Sequence, residues 1–166
     1  MVGLLGRQWL KAWHKVLSSP LLTLNGYVAF DLPRTVTGLG ASLLMGLGAV
    51  HAYILATRPG LPLYFLVYVA VLIAACLAAA AAMVFSVKPF VPQAGWYAGS
   101  LVSVAFLVIY VVSRFASLPG LVALTDRWDL APGTLAMALA GGFITVHTTV
   151  LSGINVAYPQ RQNWRD

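Results

Sequence analysis

Two histidines, His51 and His147, are the residues of this 166-residue chain best placed for chemistry, because each lies within a long apolar stretch. A neutral imidazole can ligate a metal ion or haem iron and can accept a hydrogen bond. Polar groups inside a bilayer are costly and are functional candidates by default. His51 lies two residues before Tyr53, and His147 lies among three threonines. Both histidines are therefore candidate cofactor-binding residues.

A haem held by both histidines would require them to lie at similar depth in the membrane. Counted from the outer end of each apolar stretch at about 1.5 Å per residue, His51 lies roughly 9 Å deep and His147 roughly 21 Å deep. This mismatch of about 12 Å disfavours a shared haem. A single-histidine site for a metal ion, a quinone or a cofactor shared with another chain stays open. The alternatives are an interhelical hydrogen bond from His147 to a threonine hydroxyl or a backbone carbonyl, and an interfacial position for His51 among lipid headgroups. No cofactor is predicted.

The rest of the composition leaves few other catalytic options. The chain has four aspartates, no glutamate and one cysteine, which excludes paired-glutamate di-iron chemistry, a disulfide framework and a cysteine-rich metal site. Hydrophobic residues make up 60% of the chain and charged residues 8%, against about 45–50% and about 25% in soluble domains. The sequence therefore predicts a small multi-pass membrane protein without a catalytic constellation of its own.

Four apolar stretches are long enough to cross a bilayer as helices, at about residues 36–57, 63–87, 96–113 and 133–158. The linkers between the first three are short, so neighbouring helices are expected to be adjacent and antiparallel. The predicted fold class is all-α, a four-helix up-down transmembrane bundle. No Asp, Glu, Lys or Arg lies within these stretches, so an ion-coupled transporter would lack its coupling groups.

Residues 1–35 form a separate segment ahead of the bundle. At about 100° per residue, apolar side chains fall on one face of its first half and cations on the other, which predicts an amphipathic helix lying in the membrane interface. The residues expected to contact the membrane or a partner are Arg7, Trp9, Lys11, Trp13 and Lys15. The helix either anchors the bundle to lipid or docks a partner protein. Residues 159–166 form a short tail.

The distribution of Lys and Arg predicts the orientation of the bundle. Seven of the ten lie on the side that holds both termini, and three lie on the other side. The positive-inside rule then places both termini in the cytoplasm. Cations next to lipid headgroups account for the net charge of +6 without nucleic acid as a partner. The expected partners are the bilayer, structural lipids and other subunits of a membrane complex.

Small residues recur at helical spacing in the first and last apolar stretches. The predicted helix-packing positions are Gly48, Ala52, Ala56, Gly141 and Gly142. Small side chains let helix backbones approach closely. These positions are therefore expected to pack either within the bundle or against another protein.

Two short motifs carry a resemblance to other membrane proteins. They are His51-Ala52-Tyr53 and Ser113-Arg114-Phe115-Ala116-Ser117-Leu118-Pro119-Gly120. From about residue 36 to residue 145, the chain resembles a loose group of small four-span integral membrane proteins of actinobacteria. The group has a His-x-Tyr near the end of the first span and a Ser-Arg…Leu-Pro-Gly exit from the third. The resemblance implies four helices in a bacterial cytoplasmic membrane and carries over no catalytic residue.

The leading hypothesis is a non-catalytic accessory subunit of a larger bacterial membrane complex, such as an oxidative or respiratory enzyme assembly. Its contribution would be helix packing and interfacial anchoring. One alternative is a small membrane protein that binds a redox cofactor, a metal ion or a quinone through His147. The other alternative is a small solute transporter or channel.

Overall fold

The computed structural model describes residues 32–85, 88, 90–116, 119–120 and 131–157. These residues form four helices, which we number α1 (Pro33–Thr57), α2 (Leu63–Val84), α3 (Phe90–Phe115) and α4 (Ala131–Leu151). Each helix is long and apolar enough to cross a membrane. For the described residues, the prediction of an all-helical fold with four helices able to span a membrane is confirmed. The predicted amphipathic helix and the tail at residues 159–166 lie outside the described residues.

Prolines lie at the beginnings of all four helices. Pro132 is the second residue of α4. Pro33 is the first residue of α1, and Pro62 immediately precedes α2. The helix α3 begins at Phe90, whereas the sequence predicted a beginning near Trp96. Pro92 lies in the first turn of this helix. A proline is tolerated there because the first N–H groups of a helix have no intrahelical partner. The stretch before Trp96, expected to be a linker, thus belongs to the third helix.

The fourth helix ends earlier than its apolar composition suggests. α4 stops at Leu151 although the apolar run continues to about residue 158. Gly153 has a φ of +77°, a left-handed conformation that glycine adopts without steric cost and that ends many helices. Hydropathy averaged over a long window does not register this turn, although Ser152 and Asn155 flank the glycine.

The four helices surround one apolar core. α1 packs against α2 and α4, and α3 packs against the same two helices. The largest fully buried side chains at the centre include Leu44, Leu47, Met83 and Phe143. The ring of Trp96 stacks on Phe143 with centroids 5.5 Å apart. The middle of the bundle is therefore filled by side chains from all four helices.

Gly95 brings α3 against the backbone of α2. A Cβ at this position would lie 2.9 Å from the Met83 backbone nitrogen and 3.0 Å from the Ala79 carbonyl oxygen. No side chain fits there unless the two helices separate. Small residues at membrane helix contacts commonly permit such close approach.

Hydroxyl side chains along the helices hydrogen-bond to their own backbone. Each donates to a carbonyl oxygen about one turn earlier, at 2.7–2.9 Å; these residues are Thr57, Ser113, Thr145, Thr148 and Thr149. Such bonds satisfy a polar group without a partner from another helix. These polar side chains are thereby satisfied within their own helices.

Candidate functional site

His147 lies at the contact between α3 and α4 in an aromatic setting. Its Nδ1 is 2.5 Å from the Ser100 hydroxyl oxygen on α3. The imidazole stacks on the Trp96 ring at 5.4 Å between centroids and meets the Tyr97 ring edge-on at 5.2 Å. Only 4% of His147 is exposed. The structure thus gives His147 an interhelical hydrogen bond to a serine, while the neighbouring threonines bond to their own helix.

This arrangement has the reach of a nucleophile and base pair, but the described residues place no acidic side chain beside the histidine. Serine hydroxyls are activated by a histidine within hydrogen-bonding distance, and that histidine is in turn oriented by a third group. None of the four aspartates of the chain lies in the part that the structure describes. Aromatic rings also cover both sides of the imidazole. The described geometry therefore supports a packing role for His147.

His51 is buried in α1 rather than directed toward lipid headgroups. Only 4% of it is exposed, and its Nδ1 is 2.8 Å from the Leu47 carbonyl oxygen one turn earlier. A carbonyl only accepts, so Nδ1 carries the proton and donates. The ring meets Phe106 edge-on at 5.2 Å between centroids and Tyr68 at 6.5 Å. This internal hydrogen bond is what allows a polar ring to sit among aromatic side chains.

The structure does not bring the two histidines together. His51 contacts Phe106 on α3, whereas His147 contacts Ser100 on the same helix. Those two positions are roughly 9 Å apart along the helix axis. Among the described residues, no group of three or more side chains could hold a metal ion.

A cleft of about 340 Å³ opens at one end of the bundle. It lies where α1 and α3 end and where α2 and α4 begin, so all four helices contribute to its wall. Its inner part is lined by His51, Tyr68 and Phe106, and its outer part by Arg58 and Arg114. Ligand sites in proteins commonly begin at about 300 Å³ and combine apolar walls with a few polar groups. The cleft has both properties.

Arg114 is the functional candidate that sequence reasoning missed. It marks the predicted boundary of the third span, yet it is only 3% exposed and lies in the last turn of α3. Its guanidinium carbon is 4.2 Å from the centre of the Tyr110 ring, a cation–π contact. A residue and its fourth successor share a helix face. The Tyr110–Arg114 spacing is therefore the signal that could have predicted this contact.

Arg58 carries the second positive charge of the cleft. It follows the last residue of α1 and is exposed. The nearby Tyr64 ring also lines the cleft, and its hydroxyl donates a 2.6 Å hydrogen bond to the Pro119 carbonyl oxygen. The mouth of the cleft is thus polar and the interior is apolar.

The predicted helix-packing residues divide between the inside and the outside of the bundle. Gly48 is buried, and a Cβ there would lie 3.8 Å from that of Cys76 on α2. Ala52 and Ala56 are exposed. Gly142 lies close to Leu43 of α1, and a Cβ on Gly141 would meet no atom within 4 Å. The predicted residues of the amphipathic segment, at positions 7, 9, 11, 13 and 15, lie outside the described residues.

The outer surfaces of the helices differ in side-chain size. On α3, nine large hydrophobic side chains are exposed: Phe90, Tyr97, Leu101, Val104, Val108, Ile109, Val111, Val112 and Phe115. On α4 only Leu135 and Leu151, near the two ends, are in this class. The outward-facing residues between them are small, as are most of those on α1. We define the small-residue face as Gly38, Ser42, Ala49, Ala52 and Ala56 of α1 with Thr134, Ala138, Gly141, Thr145 and Thr148 of α4. Gly141 is half-buried, and one larger side chain, Met45 (47% exposed), lies between Ser42 and Ala49.

Comparisons with known proteins identify no relative. No family model, curated protein or solved structure matches this chain. The resemblance to small actinobacterial membrane proteins therefore stays a prediction, and the function has to be argued from the geometry of the chain itself.

Proposed function

We propose that this chain is a non-catalytic subunit of a larger membrane complex, in which the small-residue face packs against helices of another protein. The observation that carries the proposal is the contrast between the outer surfaces of α4 and α3. Bulky aliphatic side chains, as on α3, suit contact with lipid tails. Small residues at a helix surface are typical of protein contacts within the membrane, because they allow backbones to approach.

Gly141 supports this proposal most directly. Glycine in the interior of a helix destabilises the helix by roughly 0.5–1 kcal/mol relative to alanine. Nothing in the part of the chain that the structure describes requires a glycine at this position, since a Cβ there would meet no atom within 4 Å. A neighbouring protein that packs on the outer surface of α4 supplies a reason for it.

The arrangement of the helices supports the rest of the predicted architecture. Contacting residues on neighbouring helices run in opposite order along the chain: Gly48 with Cys76, His51 with Tyr68, Tyr110 with Gly133, and Ser100 with His147. This order fits an up-down bundle. With the charge distribution of the linkers, it favours a bacterial cytoplasmic membrane with both termini on the cytoplasmic side. An oxidative or respiratory complex stays a prediction from the sequence.

The proposal is tested by substitutions that enlarge the small-residue face. The tagged chain is extracted from its native membrane in mild detergent and analysed on native gels, and the co-migrating proteins are identified. We expect Gly141→Leu and Ala52→Leu to remove at least nine-tenths of the co-migrating protein, which corresponds to about 1.4 kcal/mol of binding. Ala105→Leu, at an exposed position on α3, serves as the matched control and should keep it.

Two results would overturn the proposal. One is a wild-type chain that migrates as a lone 17.7 kDa species. The other is an equal loss of co-migrating protein in all three variants, because that would indicate general destabilisation rather than a specific surface. Circular dichroism of each purified variant checks that the helices form.

A further inference from the structure

We infer that the cleft at the end of the bundle binds an anionic phospholipid, with the phosphate at Arg58 and Arg114 and one acyl chain between the helices. This inference does not depend on the subunit proposal, since it concerns the inside of the bundle rather than its outer surface. The shape, the charge and the polarity gradient of the cleft wall point to this ligand.

The charge of the cleft selects the headgroup. Two guanidinium groups, from Arg58 and Arg114, lie in the same wall. Guanidinium groups bind phosphate oxygens through paired, charge-assisted hydrogen bonds. The same chemistry operates in the basic pockets between transmembrane helices that hold anionic lipid headgroups on the cytoplasmic side of membrane proteins. A phosphate with one negative charge is the simplest group that fits both arginines.

Tyr110 gives the arginine end a defined geometry. The guanidinium of Arg114 lies over the Tyr110 ring at 4.2 Å, a contact that holds the group at this end of the cleft. Arg114 is buried and Arg58 is exposed, so one arginine lies inside the cleft and the other at its rim. A headgroup that enters from the lipid side meets Arg58 first and Arg114 second.

The inner part of the cleft matches a hydrocarbon chain. Its wall contains Ile54, Phe65, Phe106 and Ile109, and Ala136 leaves room beside them. From Phe106 to Arg114 the helix rises about 12 Å, so the apolar part extends well beyond the arginines. His51 closes the inner end, with its donor already used by Leu47. A free phosphate would fill only the mouth and leave this apolar volume empty.

The cleft also has an opening through which a lipid can enter. Ile109 is 44% exposed and Tyr64 is 45% exposed, although both line the cleft. Both belong to helices in the membrane-spanning part of the chain. The acyl chain can therefore pass from the bilayer into the cleft without crossing water.

Native mass spectrometry of the full chain in detergent provides the test. Dioleoylphosphatidylglycerol, dioleoylphosphatidylcholine and inorganic phosphate are each titrated, and the retained ligand is counted. We expect one phosphatidylglycerol to bind at least tenfold more tightly than phosphatidylcholine, which carries the same chains without net charge. Inorganic phosphate alone should neither bind nor displace the lipid. Equal affinity for the two lipids, or displacement by inorganic phosphate, would overturn the assignment.

Charge variants locate the site within the chain. Arg58→Gln and Arg114→Gln should each weaken phosphatidylglycerol binding about tenfold or more, the loss expected for a charge-assisted hydrogen bond. Lys88→Gln removes one exposed charge at the other end of the bundle and should leave the affinity unchanged. Because Arg58 is exposed, its variant tests the site even when Arg114→Gln fails to fold. An equal loss with Lys88→Gln would show that binding follows net charge alone and would refute the cleft.

A second pair of measurements separates lipid binding from a purely structural role of Arg114. In the lipid-binding case, phosphatidylglycerol raises the thermal unfolding midpoint of the wild type more than that of Arg114→Gln. Ile54→Trp, which fills the apolar part, should abolish the rise while leaving both arginines in place. The inference fails if Arg114→Gln lowers the thermal unfolding midpoint equally with and without phosphatidylglycerol and the variant still binds the lipid normally. Arg114 would then serve only the packing of its own chain.

Discussion

Gly95 allows a direct test of the packing between α2 and α3. A methyl group at Gly95 would meet the backbone of α2 at Met83 and Ala79, at 2.9 Å and 3.0 Å. Backbone atoms cannot rotate away as a side chain can, so the helices would have to separate. We therefore expect Gly95→Ala to lower the free energy of unfolding, although alanine is normally the better helix residue.

The magnitude follows from two opposing effects. Overpacking of a tight contact costs about 1–3 kcal/mol, and replacement of a helical glycine by alanine returns about 0.5–1 kcal/mol. The net loss is expected to be about 1–2 kcal/mol. Gly141→Ala is the matched control, because it makes the same chemical change where a Cβ meets no atom within 4 Å. Gly141→Ala should raise the free energy of unfolding by up to about 1 kcal/mol.

Reversible unfolding in mixed micelles measures both variants. The helical circular dichroism signal is followed as the mole fraction of dodecyl sulfate rises, and the free energies are compared at a common composition. The order of stability should be Gly141→Ala, wild type, Gly95→Ala. A Gly95→Ala protein as stable as Gly141→Ala would refute the close approach of α2 and α3 at this residue.

Three further outcomes follow from buried side chains. Phe143→Ala should cost about 3–5 kcal/mol in the same unfolding measurement, because the ring is fully buried and its removal leaves a cavity. Ser100→Ala should lower the free energy of unfolding by about 1–3 kcal/mol, since it leaves the buried imidazole of His147 without its hydroxyl partner. Adding His147→Phe to this variant should restore part of the loss. If the effects of the two substitutions are strictly additive, the hydrogen bond between the two side chains is contradicted. Cys76 is fully buried, so maleimide should label it only after unfolding. A cysteine introduced by Thr57→Cys, at the exposed end of α1, should react in the folded protein. Equal labelling of the two cysteines would contradict the packing of α2.

Hydropathy predicted the four helices because crossing a bilayer requires a long apolar run and little else. The bounds were less predictable, since they depend on local backbone geometry. Gly153 ends α4 before the end of the predicted span, and Pro92 lies inside α3 at a position predicted to belong to a linker. Both residues act through the conformation of a single turn. Hydropathy averaged over a window of about twenty residues is insensitive to such a local change.

The side-chain clusters were predictable only in part. The sequence singled out the two histidines as polar residues within apolar stretches, but it did not predict the burial of His51 or the partners of either ring. His147 bonds to Ser100, which lies 47 residues earlier, and only the packing of α3 on α4 brings the two together. The burial of Arg114 likewise depends on what the other three helices place around it. Such contacts are properties of the assembled bundle rather than of any one segment.

The hydroxyl groups that bond back to their own helix have a consequence for biogenesis. Thr145, Thr148 and Thr149 are already satisfied within α4, so this segment can enter the bilayer as an independent helix before any neighbour is present. His147 is different, because its partner is on α3. The Ser100–His147 bond can form only once α4 has packed against α3, so this imidazole gains its partner through helix assembly rather than through helix formation.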